Sequence, residues 1–556
     1  MPDIMLRLGQ EVLVAEGAMG TMLQRAGMPA GASPEQLNEM DSEMVLNVHR
    51  LYHMAGANCV KTNTFGGSWS HLAAYNLESR ADFINREAVR IARKVRPEHI
   101  LADMGPCGRN FAPVGDALFE ENFREYAEQA ASLAAENPDA ILIETMTDIA
   151  DARCALLAAK SVCELPVFVC CTFNEQGRMP LSGTDPATAA IILEESGADA
   201  VGINCGLGPE QVFPLFEQMG AATGLPLIVM PNAGMPRTNR RGQVEYPATP
   251  DDFARWAVRF AEAGAAVIGS CCGSTPAFTG AIKAMVGGRR VASRDVEPPQ
   301  GLRFTGPRSQ ALVDGSRPFA IARIGDYGDA EGVTGAELEE AGDLAGEAAD
   351  ALEEGAQMVL FSLARAPRGQ EETISALVDE VAQTAGCPLA FGSPDAGQLE
   401  RALAAYAGRA LVDGGVWHEG ADAYRELMPA VKRYRAALIV RALAAGPEYQ
   451  VDLVEDFLEQ VLAAADEQGV PHDCLLVDVS SPRVGEEARV TLEAVARMAR
   501  QAGCRVMLDT TTWSKTLRGA SDGSERLKRA LELGLDAVVI DHEDELVGSI
   551  IRHALG

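Results

Sequence analysis

Short apolar runs alternate with amphipathic stretches along the whole chain. From the N-terminus the runs are VLVAEGAMG, NCVKTNTFGG, HILADMG, AILIETM, PVFVCCTF, AVGINCG, LIVMPNAG and AVIGSCCG. Between them lie segments such as FREYAEQAASLAAE and PDDFARWAVRFAEAG, whose apolar residues recur with helical spacing. Strand and helix alternating eight times over residues 1–290 predict a (β/α)8 barrel. A polar stretch rich in Gly, Pro and Arg follows and predicts a linker over 291–316. The count then restarts with FAIARIG, AQMVLFSLA, PLAFGS, RALVDGG, AALIVRAL, CLLVDVS, RVMLDTT and AVVIDHE. The expected fold class is therefore α/β, two tandem (β/α)8 barrels over 1–290 and 317–556. The two halves share a pattern and no fine-period repeat.

Composition narrows the function classes. The chain has 556 residues, 47% hydrophobic, with a formal net charge of -31. That charge opposes long-range attraction to nucleic acid and to anionic membranes. The N-terminal MPDIMLRLGQ has no apolar core of signal-peptide length, and no apolar run approaches a membrane span. Twelve cysteines in so long a chain, many inside apolar runs, do not read as a disulfide framework. A reducing compartment, the cytoplasm, is expected.

Three of these cysteines suggest chemistry. Cys205 closes the run VGINCG, and Cys271 and Cys272 close VIGSCCGSTP. The C-terminal ends of barrel strands face one mouth, so three thiolates from two strand ends can converge on an open zinc site. Neighbouring residues on a regular strand point to opposite faces, so the strand must break at the pair, and Gly273 permits the bend. Core thiols and a disulfide between neighbours are the alternatives. Cys170 and Cys171, adjacent but with no glycine beside them, read as core thiols.

GINCG and GSCCGSTP, together with EGAMGT at 16–21, TNTFGG at 62–67 and ETM at 144–146, resemble the homocysteine S-methyltransferase family. The likeness covers the first barrel in the family's order. It implies that Cys205, Cys271 and Cys272 bind zinc, which holds the substrate thiol as a thiolate for attack on a donated methyl group. Gly17 and Gly20 allow a turn with exposed N–H groups. The resemblance implies that the amides around Ala18 and Met19 meet the amino-acid carboxylate, with Glu16 and Glu144 as candidates for the ammonium. An internal salt bridge is the alternative for both acids. Asn63, Asn204, Asn232 and Asp103, also at strand ends, either orient a ligand or cap a turn.

The pair of barrels resembles the front half of the cobalamin-dependent methionine synthase family, whose second barrel is of the pteridine-binding, dihydropteroate-synthase-like kind. The polar signatures of that barrel are altered here. ARIGDYGDAEG stands for a GERxNxTG-like start, and MVLFSLA replaces the Asp-x-Asn strand. Gly392-Ser393 and Asp413-Gly414 replace two further polar pairs. Weak folate binding is expected, with Asp478, Asp509 and Asp541 left at strand ends for another ligand or for helix caps. DHEDELVG fails the spacing of the cobalamin motif D-x-H-x-x-G. The expected function is zinc-dependent transfer of a methyl group to homocysteine, giving methionine, with the methyl group brought by a separate corrinoid protein. The alternatives are methyltetrahydrofolate as donor with a cobalamin module in trans, or a sulfonium or betaine donor with the second barrel as a docking module.

Overall fold

Every apolar run named above forms a strand. In the computed structural model, residues 3–112, 114–235, 237–238, 244–296, 301–325, 341–363, 371–393, 395–414, 420–441, 451–480, 486–511 and 531–541 are described. The chain divides into two units, Met1–Pro298 and Pro299–Gly556. Among the described residues no helix is long and apolar enough to cross a membrane.

The first unit is built on β1 (Leu13–Val14), β2 (Cys59–Lys61), β3 (His99–Met104), β4 (Ala140–Met146), β5 (Val167–Cys171), β6 (Ala200–Asn204), β7 (Leu227–Met230) and β10 (Ala265–Ile268). A short hairpin, β8 (Arg237–Thr238) and β9 (Val244–Glu245), precedes β10. The parallel sheet runs β1-β10-β7-β6-β5-β4-β3-β2. A parallel bridge between Ala15 and Cys59 joins its two ends, completing a barrel. Strands covered on both faces are apolar throughout, which explains runs rather than alternation.

The intervening helices follow their local signals. In Pro250–Glu262, Thr249 caps the N-terminus by accepting from the Asp252 N–H, and Pro250 occupies the first turn. Phe253, Ala254, Ala257, Phe260 and Ala261 form its buried stripe.

The second unit is a closed barrel of β13 (Phe319–Arg323), β14 (Met358–Ser362), β15 (Leu389–Gly392), β16 (Leu411–Asp413), β17 (Ala437–Arg441), β18 (Leu475–Asp478), β19 (Arg505–Asp509) and β20 (Ala537–Asp541). Asp326–Gly332 and the residues from His542 on, read above for pterin and cobalamin signatures, lie outside the described residues.

One expectation changes. Much of the stretch read as a linker over 291–316 is ordered as an antiparallel hairpin, β11 (Leu302–Gly306) and β12 (Ser309–Val313). Leu302, Phe304 and Val313 are buried with Phe319, Met358, Ala437 and Ala537, the first residues of four barrel strands. The hairpin thus caps the N-terminal end of the second barrel. The Gly, Pro and Arg content of its flanks and turn masked its alternating apolar positions.

Candidate functional site

β6 ends at Asn204, and the next two residues are left-handed, Cys205 at φ 59° and Gly206 at φ 63°. A side chain rarely adopts this region without support. Support comes from the Cys205 N–H donating to Met230 O at 3.1 Å and the Leu207 N–H donating to Cys205 O at 2.7 Å.

β10 ends at Ile268, so the chain has left strand geometry before it reaches Cys271. The break lies upstream of the pair rather than at it. The Cys271 N–H donates to Pro231 O at 2.8 Å, and the Ser274 N–H returns to Cys271 O at 3.2 Å, closing a turn around Cys272 and Gly273. Gly273 holds the third position at φ 80°, which favours glycine. A Cβ there would stand 2.2 Å from Cγ of Tyr246.

The three Sγ atoms lie within 4.8 Å of one another. Cys205 and Cys272 are 3.8 Å apart, and Cys271 and Cys272 4.0 Å. A tetrahedral zinc with Zn–S of about 2.3 Å has an S···S edge of about 3.8 Å. The donor set therefore fits a tetrahedral ion with one open position. Among the described residues no other group of three His, Cys, Asp or Glu side chains has such spacing.

The thiols compete for one negative charge. Bonds from Cys205 and then Cys271 hold the Cys272 thiol down at about 3. The same trio pushes Cys271 well above its usual range. A dication removes the competition, because all three can then be thiolates. The contrasting pair behaves otherwise. Cys170 and Cys171 are wholly buried in β5, and burial pushes Cys171 up to about 12.

The acids predicted for the ammonium are internally engaged. Glu144, 4% exposed, places Oε1 and Oε2 at 2.9 and 3.0 Å from Nζ of Lys61, at the end of β2. Glu16, fully buried, meets His49 Nδ1 at 3.2 Å and accepts from the Lys61 N–H at 3.0 Å. Lys61 thus bridges the two predicted acids. Sequence reasoning missed it, although a single lysine inside the run NCVKTN was the available signal.

Glu144 sits at a bulge in β4, where the register with β5 shifts between Ile143 and Met146. The next residue, Thr145, is left-handed at φ 64°. Asn204 secures it: Oδ1 accepts from the Thr145 N–H at 2.7 Å, and Nδ2 donates to Thr145 Oγ1 at 2.8 Å. Bulges re-aim side chains beside active sites, and Asn204 is a brace for this one. Asn63 is also structural, with Nδ2 donating to Pro34 O at 2.7 Å and to Asn38 Oδ1 at 3.0 Å.

Asp103 and Asn232 differ. Both are buried, and Oδ1 of each has no hydrogen-bond partner among the described residues. Burial, then the charge of Glu144, pushes the Asp103 carboxyl well above its usual range. At the β1 turn the Ala18 N–H donates to Ser274 Oγ at 3.2 Å, while Met19 begins the helix Met19–Arg25. Gly17 is required there, since a Cβ would lie 2.5 Å from Ser274 Oγ.

In the second barrel Asp478 and Asp509 surround a buried arginine that sequence reasoning also missed. Arg441, ending β17, donates from Nη1 to Asp478 at 2.8 Å and to Asp509 at 2.9 Å. Its Nε and Nη2 grip both oxygens of Asp413 at 3.1 and 2.5 Å. Arg323 adds a 2.7 Å bond to Asp509. Burial alone would raise the Asp509 carboxyl, but the Arg323 and Arg441 charges outweigh it and hold it at about 2.

Residues 13–286 match the family model described as homocysteine S-methyltransferase. Along 97% of its length the chain is 28% identical to the methionine synthase of Mycobacterium tuberculosis and 26% identical to that of Mycobacterium leprae. It spans about half the length of these curated relatives, 48% of each. Among solved structures, the metallated homocysteine methyltransferase MmuM from Escherichia coli is 22% identical, with a TM-score of 0.43 over 50% of this chain and 96% of that one. A dihydropteroate synthase from Xanthomonas albilineans is 17% identical, with a TM-score of 0.33 over 45% of this chain and 97% of that one. With its motifs at strand ends and its family model matched from β1 to the helix after β10, the first barrel belongs to the homocysteine S-methyltransferase family.

Proposed function

We propose that this protein is a zinc-dependent methyltransferase that methylates the thiol of homocysteine to give methionine. The observation that carries this reading is the Cys205, Cys271 and Cys272 triad, spaced for a tetrahedral ion inside a domain of that family. Cys205, Cys271 and Cys272 would hold zinc as thiolates, and the ion would keep a substrate thiol deprotonated near neutral pH. The chain's own residues do the rest. The two backbone turns hold the thiols in place without substrate. In this reading Glu16, Lys61, Glu144, Asp103, Asn232 and the Met19 amide are the polar floor that orients the amino acid. Its place in the reducing cytoplasm is part of the reading, in keeping with twelve free cysteines.

Calorimetry of homocysteine binding to the zinc-loaded protein, repeated in buffers of different ionisation enthalpy, tests the thiolate step. Release of about one proton per thiol bound is expected at neutral pH. A binding heat that does not change with the buffer would sink the reading.

For the donor we propose a methyl-corrinoid carried by a separate protein. The support is the mouth of the second barrel, where Asp413, Asp478 and Asp509 are bound by the chain's own arginines. A second reading uses methyltetrahydrofolate, and the similarity to methionine synthases over 97% of the chain favours it. Two or three polar groups without partners, at about 1–3 kcal/mol each, move a micromolar ligand toward the millimolar range. We therefore expect methyltetrahydrofolate to bind weakly and methylcobalamin to support methionine formation. A micromolar dissociation constant for the folate would reverse this assignment.

A further inference from the structure

Lys61 has no role in the reading above beyond its place in the floor, and its surroundings give it one. Its ammonium carries three N–H donors. Two meet the oxygens of Glu144 at 2.9 and 3.0 Å, and among the described residues Nζ has no further partner. The side chain is buried, and its partner leads to the thiol end: Glu144 precedes Thr145, whose N–H donates to Asn204, the residue before Cys205.

The same pairing removes the obvious ammonium site. Glu144 is neutralised by Lys61, and Glu16 is satisfied by His49 and the Lys61 N–H. An ammonium arriving at Glu144 would meet a charge already offset, and at Glu16 it would meet oxygens already hydrogen-bonded. At the other end, the Ala18 amide is committed to Ser274, so the turn expected to hold a carboxylate is short of a donor. Among the described residues an open donor is on Lys61, and an open acceptor is Oδ1 of Asp103.

We infer that Lys61 is a specificity-determining residue that binds the substrate's α-carboxylate through its third N–H, with Glu144 serving as its counter-ion. The inference rests on the thiol-binding reading and deepens it. The polar groups then pair in order through the site: Glu144 with Lys61, Lys61 with the carboxylate, and the ammonium with the open Oδ1 of Asp103. The class of substrate selected is a thiol bearing a carboxylate a short chain away, with the amino group of secondary weight.

The test is an equilibrium titration of the cobalt(II)-substituted protein, read by the increase in thiolate-to-cobalt charge transfer when a fourth thiolate joins the three cysteines. Three thiols are compared: homocysteine, γ-mercaptobutyrate (no amino group) and aminopropanethiol (no carboxylate). In Lys61→Met, homocysteine and γ-mercaptobutyrate should weaken by roughly 10- to 100-fold, the range for a lost charged hydrogen bond, and aminopropanethiol should not. Lys61→Met leaves Glu144 as an unpaired buried charge, so Lys61→Met/Glu144→Gln serves as a folded control and should show the same selective loss. Equal weakening of all three thiols, or unchanged homocysteine affinity in the double variant, would overturn the assignment of Lys61. A parent protein that binds homocysteine, as read by calorimetry, with no change in the charge-transfer band its own three thiolates give would instead overturn the thiolate reading, and the Lys61 inference with it.

Discussion

Cys272→Ser should lose most of its zinc, leaving well under the roughly one ion per chain expected of the parent. Cys272 lies 3.8 Å from Cys205 and 4.0 Å from Cys271. It is also the thiol that its neighbours hold in the ionised form. Serine offers a harder, far more basic oxygen that a soft thiolate site does not replace. Two thiolates remain, one fewer than an open catalytic zinc requires. The fold itself should persist, because the turn carrying Cys272 is fixed by backbone bonds at Cys271, Ala233 and Ser274. Metal analysis with circular dichroism separates the two effects. Full zinc in a folded Cys272→Ser variant would remove this cysteine from the centre.

The second large effect is expected at Arg441. Its guanidinium lies among Asp413, Asp478 and Asp509 in a buried cluster. Removing one partner of such a cluster leaves uncompensated charge, at a cost of about 3–5 kcal/mol. Arg441→Met should therefore unfold at clearly lower denaturant than the parent. The pH dependence should shift as well. In the parent, Asp509 is held at about 2, below its unfolded value. Its stabilisation is present above the unfolded value and fades as pH falls through about 2. Burial already raises the Asp478 carboxyl in the parent against the lowering charge of Arg441; in Arg441→Met that charge is gone and the Asp478 value rises further, while Arg323 still faces Asp509. The folded state then binds more protons, so the variant should gain stability on acidification from neutral pH toward pH about 5. Urea unfolding at both pH values decides it. A variant as stable as the parent at neutral pH would show that the cluster does not hold this barrel together.

The strands were legible because parallel barrel strands are covered on both faces and must be apolar along their whole length. Cys205, Cys271 and Cys272 were legible because chemistry at a barrel mouth gathers at strand ends beside glycines. What escaped was pairing. Lys61 and Arg441 each lie within or at the end of an apolar run, and one charge there says nothing about which acid, far away in sequence, will face it. Asn204 and Asn63 look alike in sequence to Asn232, yet the first two are spent on backbone and the third keeps an oxygen with no partner among the described residues. Only the bulge at Thr145 and the path of residues 34–38 distinguish them. The hairpin over 302–313 was missed because its two short strands are separated by a turn containing Pro307 and Arg308.

That hairpin governs how the molecule can be divided. A cut placed by composition, just ahead of Phe319, would strip Leu302, Phe304 and Val313 from the floor of the second barrel. The rings of Phe304 and Phe319, 5.9 Å apart, would part, and the apolar first residues of the strands would open to water. Such a fragment would tend to self-associate through its exposed base. A severance point near Pro298, ahead of Gly301, keeps the stopper with the vessel it closes.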